Sequence, residues 1–220
     1  MDDENNMIKK IKIQSPKIPR ELEKAVDIID EILEEEKIEE KIIENIIIQG
    51  ISNLRVRFSS CIFRNVTFEE CDFRKIDMVD VIFENCNLSN INFGDSGIYR
   101  VEFINCKLTG ARFDDSILKS TVFKSSRGLY SNFSFSKFKG VSFMDSEFQN
   151  SVFQEVHNET LIVESTDLSK SIFSGISLNG VDFSTCNIEG IEIQLKDVCG
   201  GKFTVVQALE LTKLMGITIV

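Results

Sequence analysis

Tryptophan is missing from this 220-residue chain, while tyrosine and proline occur twice each and histidine once. The lone His157 offers no Cys/His set for zinc, and the six cysteines show no CxxC spacing that would replace it. No glycine-rich phosphate loop, GxSxG or HExxH is present, so the common enzyme motifs are absent. Paired acids such as Glu69 with Glu70, or Asp114 with Asp115, fall where carboxylates stay solvated, which does not make a general acid. The expectation is a non-enzymatic chain with no cofactor and no metal. The start MDDENNMIKK has no apolar leader region, and no apolar run is long enough to span a bilayer. A cytoplasmic location, reduced thiols and no membrane contact are expected.

What the chain has in excess is phenylalanine, 18 residues of it. Phe has no polar handle and suits dry burial. In FEECDFRKIDMVDVIFENCNLSNINF, residues 68 to 93, the large apolar residues are Phe68, Phe73, Met78, Phe83, Leu88 and Phe93, one every five. A helix buries a stripe at a period of 3.6 and a strand at a period of 2, so neither accounts for it. The frame runs from Phe58 to Phe203 over 30 positions, broken by Gly128 and Asn158. A small residue lies two before most centres, as in Cys61, Cys71, Cys86 and Cys106. The stretches around the breaks, SSRGLYS and VHNET, keep the count, so local bulges or altered turns are expected there.

A period of twenty underlies the period of five. One register carries Phe63, Phe83, Phe103, Phe123, Phe143 and Phe183, and another carries Phe73, Phe93, Phe113, Phe133, Phe153 and Phe173. Four pentapeptides therefore make one four-sided coil whose side chains stack on their equivalents in the next. At the spacing of parallel strands, 30 pentapeptides give a rod of about 36 Å with a Phe and Leu core.

VTFEE, CDFRK, CNLSN, CKLTG, ARFDD, VSFMD and TDLSK resemble the pentapeptide-repeat family motif: a small residue, a polar residue, Leu or Phe, then two polar residues. The resemblance covers about two-thirds of the chain. It implies an all-β solenoid, a right-handed quadrilateral parallel β-helix, and no catalysis. The expected organisation is a disordered N-terminus over 1–19, an acidic amphipathic helix over 20–45, the β-helix over 46–203, and a C-terminal capping or dimerisation helix and strand over 204–220. The first helix is read from Leu22, Val26, Ile29 and Leu33, after Pro16 and Pro19. Packing over the first coil or binding a partner are its two roles.

The C-terminal stretch VVQALELTKLMGITIV suits a short helix, a Gly216 C-cap and a strand. It is similar to the ending of quinolone-resistance members of the family, and this implies a homodimer through the C-termini using Val206, Leu209, Leu214, Met215, Ile217 and Ile219. Net charge is −10 overall, and by region −6 over 1–54, +3 over 55–140 and −7 over 141–220. This argues against direct nucleic-acid binding. In the acidic third, Asp145, Glu147, Glu164, Asp167, Asp182 and Glu189 belong to two adjacent sides of three successive coils. The same resemblance implies a DNA mimic with DNA gyrase or topoisomerase IV as partner. The alternatives are a scaffold with another protein partner, and acids that serve solubility alone.

Overall fold

A computed structural model describes residues 12–52 and 55–217. Its strands are β1 (Glu23–Lys24), β2 (Lys37–Glu39), β3 (Lys41–Glu44), β4 (Ile47–Gln49), β5 (Arg57–Arg64), β6 (Thr67–Glu69), β7 (Asp77–Glu84), β8 (Gly97–Ile104), β9 (Ile117–Lys124), β10 (Lys137–Met144) and β11 (His157–Glu164). Two short α-helices, α1 (Ile28–Glu34) and α2 (Val205–Leu211), flank the coils. The pairings are all parallel, and from β5 to β10 the register steps by twenty, as in Phe63 to Phe83 and Phe103 to Phe123. The chain is a parallel β-solenoid.

The backbone answer to the period of five lies at its corners. Among the described residues, 29 from Glu40 to Gly200 have φ between 46° and 81°, and every one has a number divisible by five. Asn, Asp or Gly hold 17 of these positions, the residue types that enter the left-handed region at least cost. Four such corners per coil divide it into four sides. Side 1 carries 117–119 and side 2 carries 121–124, joined in one strand through Ser120; side 3 carries 126–129 and side 4 carries 131–134.

The phenylalanine columns stack as the sequence implies. Phe83 to Phe103, Phe103 to Phe123 and Phe123 to Phe143 have ring centroids 5.1, 4.9 and 4.8 Å apart, and Phe113 to Phe133 and Phe133 to Phe153 are at 4.9 and 5.1 Å. Neighbouring columns meet edge to face, as Phe123 and Phe133 do at 82°, which suits the aromatic quadrupole. The small inward residues are more than filler. Ser116, Ser131 and Ser171 donate their hydroxyls to the carbonyls of Phe93, Leu108 and Phe148 at 2.7, 2.9 and 2.9 Å. Each ties one coil to the coil beneath.

The N-terminal expectations need correction. The helix expected over 20–45 is limited to Ile28–Glu34, and Val26 and Leu33 of its expected stripe are exposed. Ile28 and Ile32, four apart, are buried instead and close the bottom of the core. Beyond it Ile38, Ile43 and Ile48 extend the five-residue frame and lie beneath Phe58, Phe63 and Phe68 in β2, β3 and β4. The solenoid therefore starts near Lys37, not at 46. Core burial every fifth residue outweighs the helix propensity of the surrounding glutamates.

Residues 12–19 were expected to be disordered with the rest of 1–19, but they lie across the coils as an extended strap, while 1–11 are outside the described residues. Lys17 N donates to Asp80 Oδ1 at 2.8 Å, and Tyr99 OH donates to Gln14 Oε1 at 3.5 Å. At Gly128 no bulge forms: Arg127 bridges Lys107 below and Glu147 above in the regular way. The expected bulge does occur at the second break, where β10 and β11 slip between Phe138 and Val141.

Candidate interaction surface

The six sequence-selected acids lie on sides 2 and 3 of the upper coils or at the corner between them. Glu147 and Asp167 are bridged neighbours on side 3, with Asn187 next above. Asp145 occupies a corner, and its N–H donates to the carbonyl of Glu164 at 3.0 Å. Glu189 is on side 3, where its carbonyl accepts from Lys170 N at 2.8 Å, and Asp182 is on side 2, bridged to Lys202. Residues 141–149, 161–169 and 181–189 together hold these six acids and no Lys or Arg.

The same columns are basic lower down. On side 3 one ladder reads Asn87, Lys107, Arg127, Glu147, Asp167, Asn187, so charge changes sign within a single column. Arg127 Nε and Glu147 Oε2 close that boundary at 2.9 Å. Burial pushes the Asp167 carboxyl up, but the Ser169 amide, donating at 2.9 Å, and the Ser169, Asn187 and Gln149 side chains outweigh it and hold it below the usual carboxylate range. Asp167 is therefore charged at neutral pH.

The C-terminal end presents a different surface. Thr204 caps α2, accepting from Gln207 N at 3.2 Å, while Gln207 Oε1 accepts from Thr204 N at 2.8 Å, a capping box. Gln207 Nε2 also donates to the carbonyls of Phe183 and Cys186 at 2.9 and 2.8 Å. No residue of α2 is fully buried, and the helix is held to the last coils by this amide and by the half-buried Leu211, which packs against the core. Val206, Leu209, Leu214, Met215 and Ile217 are all exposed, with Val206 at 72%. Gly216 takes the left-handed C-cap conformation with φ 70°. Ile219 and the rest of the expected strand after Ile217 are outside the described residues.

Two features escaped the sequence reading. Asn45, Asn65, Asn85 and Asn105 form a corner ladder in which each Nδ2 donates to the Oδ1 below, at 2.8, 3.3 and 2.8 Å. Their recurrence at twenty-residue intervals was the available signal. The second feature is a buried ion pair between Asp80 and Arg100, under the Lys17 strap, with the guanidinium 4.0 Å from the Tyr99 ring centroid. Burial pushes the Asp80 carboxyl up, but the hydrogen bond from Arg100 and that from Lys17 N leave it lowered. No sequence period announces this pair, since its corner column changes from coil to coil, reading Glu40, Ser60, Asp80, Arg100, Ser120 and Gly140.

Two family models match the chain, one described as a pentapeptide repeat region over residues 76–148 and one as pentapeptide repeats in eight copies over residues 55–96. Residues 55–148 are a pentapeptide-repeat region. No curated protein matches it. Among solved structures, the chain is similar to trypsin-treated QnrB1, a plasmid-mediated fluoroquinolone resistance protein, with 21% identity over 72% of this chain and 90% of that one at a TM-score of 0.47. Full-length QnrB1 gives 18% identity over 80% and 100% of the two chains at 0.44. Rfr23, a pentapeptide-repeat protein from the cyanobacterium Cyanothece 51142, gives 16% over 47% and 64% at 0.33. Among the described residues no helix is long and apolar enough to cross a membrane, and no group of three or more His, Cys, Asp or Glu is placed to hold a metal ion.

Proposed function

We propose that this pentapeptide-repeat protein is a non-enzymatic interaction protein that presents sides 2 and 3 of its upper coils to the DNA-binding surface of a type II topoisomerase, gyrase or topoisomerase IV, and protects that enzyme from quinolones. The observation that carries the reading is the grouping of six acids, without a base, on two adjacent sides of three coils. Three coils span about 14 Å at the parallel-strand spacing. B-DNA presents about 8 charges over that length, one per roughly 1.7 Å. Six charges on one half of the perimeter come close to that density. Glu147 is the weakest contributor, because Arg127 already pairs with it.

The exposed apolar C-terminal end supports a second element of the proposal, a homodimer through the C-termini. It would set two acidic regions next to each other at the centre of a longer rod. Leu214→Arg is expected to give monomers by light scattering, and a dimer that survives it rules out this interface. The alternative route to a protein partner, through the N-terminal helix, has less in its favour: Ile28 and Ile32 are committed to the core. For topoisomerase binding the decisive measurement is a gyrase supercoiling assay. Micromolar protein should inhibit supercoiling or relieve quinolone action, and the Asp145→Asn, Asp167→Asn, Glu189→Gln triple variant should do so at least tenfold less well. If the wild-type protein has neither effect, the proposal fails.

A further inference from the structure

The break at Asn158 does more than bend a strand. β10 and β11 pair at an offset of twenty at Phe138 and Asn158, then Lys139 meets Thr160, and the offset of twenty returns at Val141 and Leu161. Glu159 is the extra residue of a β-bulge. The ladder ends here, because β11 pairs only with β10 and residues 177–184, which by register lie over it, form no strand. Side 1 of the coils below shows what is missing. Lys137 N donates to Ser116 O at 2.8 Å and His157 N to Ser136 O at 2.9 Å, each reaching back 21 residues, but among the described residues Ser177 and Val156 make no such bond. Instead the Asn158 side chain bridges the gap, Nδ2 donating to Ser177 O at 2.9 Å.

Between β11 and 177–184 this leaves a groove of about 150 Å³, lined by Leu161, Val163 and Val181 together with Asn158, Glu159 and Asp182. Among the described residues none donates to the buried Asn158 Oδ1, a cost of about 1–3 kcal/mol unless a donor arrives. Ile162 is 39% exposed at the same edge. Among the described residues no Lys or Arg lines the groove.

We propose that this groove docks an extended, basic peptide segment of a partner protein, with one apolar side chain seated between the coils. The main chain of such a segment supplies the N–H groups that the interrupted edge and the buried Asn158 oxygen lack, the recognition used when a strand is added to an open sheet edge. A space of about 150 Å³ admits a group the size of benzene, which matches one Leu or Val side chain. Flanking lysines on the segment face Asp182 and Glu159, where they share the Glu159 carboxylate with Lys139, whose Nζ lies 2.9 Å from Oε1. The groove shares side 2 and Asp182 with the surface proposed to meet a topoisomerase, but it rests on the interrupted ladder and the buried Asn158 oxygen and does not depend on that reading.

The test uses the full chain and a fluorescein-labelled peptide, Ac-Lys-Val-Lys-Leu-Lys-Val-NH2, followed by anisotropy. Saturable binding is expected. It should weaken at least tenfold in Asn158→Leu, which restores the apolar frame and removes the orphan acceptor, and in Ile162→Lys, which sets a like charge at the groove edge. Val122→Lys, the same kind of change two coils lower in the same column, should leave affinity within twofold. Because Ile162 is exposed, that variant keeps its fold and decides the matter even if Asn158→Leu does not. No saturable binding by the wild type, equal binding by Ile162→Lys, or binding of Ac-Glu-Val-Glu-Leu-Glu-Val-NH2 as tight as that of the basic peptide overturns the proposal.

Discussion

Gly128 and Asn158 are both places where the five-residue frame has no large apolar side chain, yet one is invisible from the backbone and the other interrupts a face of the solenoid. At Gly128 the ring of Phe148, one coil above, fills the slot: a Cβ at 128 would lie 2.1 Å from its Cε1. Phe148 is fully buried there, 4.7 Å from the Phe143 ring and 5.6 Å from Phe123. At Asn158 a polar side chain stands in the apolar column, and no ring reaches down to replace it. Its amide holds the next coil by hydrogen bonding, and the sheet stops. A missing side chain is repaired when the next coil supplies volume, whereas a polar one in the same position must be solvated or bonded, and that sets coils apart.

The sharpest way to break the comparison is at the repaired site. Phe148→Ala should cost about 3–5 kcal/mol in denaturant unfolding, the range for emptying a buried aromatic position. Gly128→Leu should cost about 3 kcal/mol through overpacking. Combined, they should cost clearly less than their sum, because the new leucine occupies the emptied space; strict additivity would show that Phe148 does not fill the slot of Gly128.

A second difference is external. The coils below Gly128 are clasped by the Asp80 and Arg100 pair and the strap at Lys17, and Arg100→Met should destabilise them by about 3 kcal/mol by leaving the Asp80 charge unpaired. The Asp80 carboxyl is lowered in the fold, so its stabilisation is fully present above the unfolded value of about 3.9 and is lost as pH falls through the lower folded value. Acid titration of Asp80→Asn should therefore lose the part of the wild-type slope below about pH 4. An unchanged slope would mean that the clasp contributes nothing. The smallest effect is a gain: Asn158→Leu should stabilise by about 1 kcal/mol and slow amide exchange over 158–164, making the interrupted face resemble the regular one.

The columns of Phe63 and Phe73 were readable from the chain because each buried slot recurs at a fixed interval and has one chemical requirement. Ile38, Ile43 and Ile48 meet the same requirement, but KIEEKIIENIIIQG surrounds them with glutamates at spacings that also suit a helix, and local pattern alone does not choose between the two. The corners were legible in principle, since Asn and Asp recur at numbers divisible by five, but a polar corner looks like any solvated position until backbone dihedrals separate it. The places of the acids, on sides 2 and 3 or at the corner between them, were countable from the chain. Their partners were not, because Arg127 meets Glu147 and Arg100 meets Asp80 only through the twenty-residue stacking of side chains whose lengths and directions the count does not contain.

The twenty-residue step also bears on how the molecule comes into being. Most β folds form slowly because their strands must find partners far away in the chain. Here the rungs join residues about twenty apart, as Asn132 N to Ala111 O and Phe113 N to Asn132 O do, so each coil closes a loop of the same modest length over a template already in place. Growth can follow the order of synthesis, one coil settling on the last as the chain emerges, with α1 and the first isoleucine coil as the seed. Removing a whole coil of twenty residues leaves that process intact, whereas deleting a single residue in mid-rod shifts every later apolar centre out of register with the coil beneath.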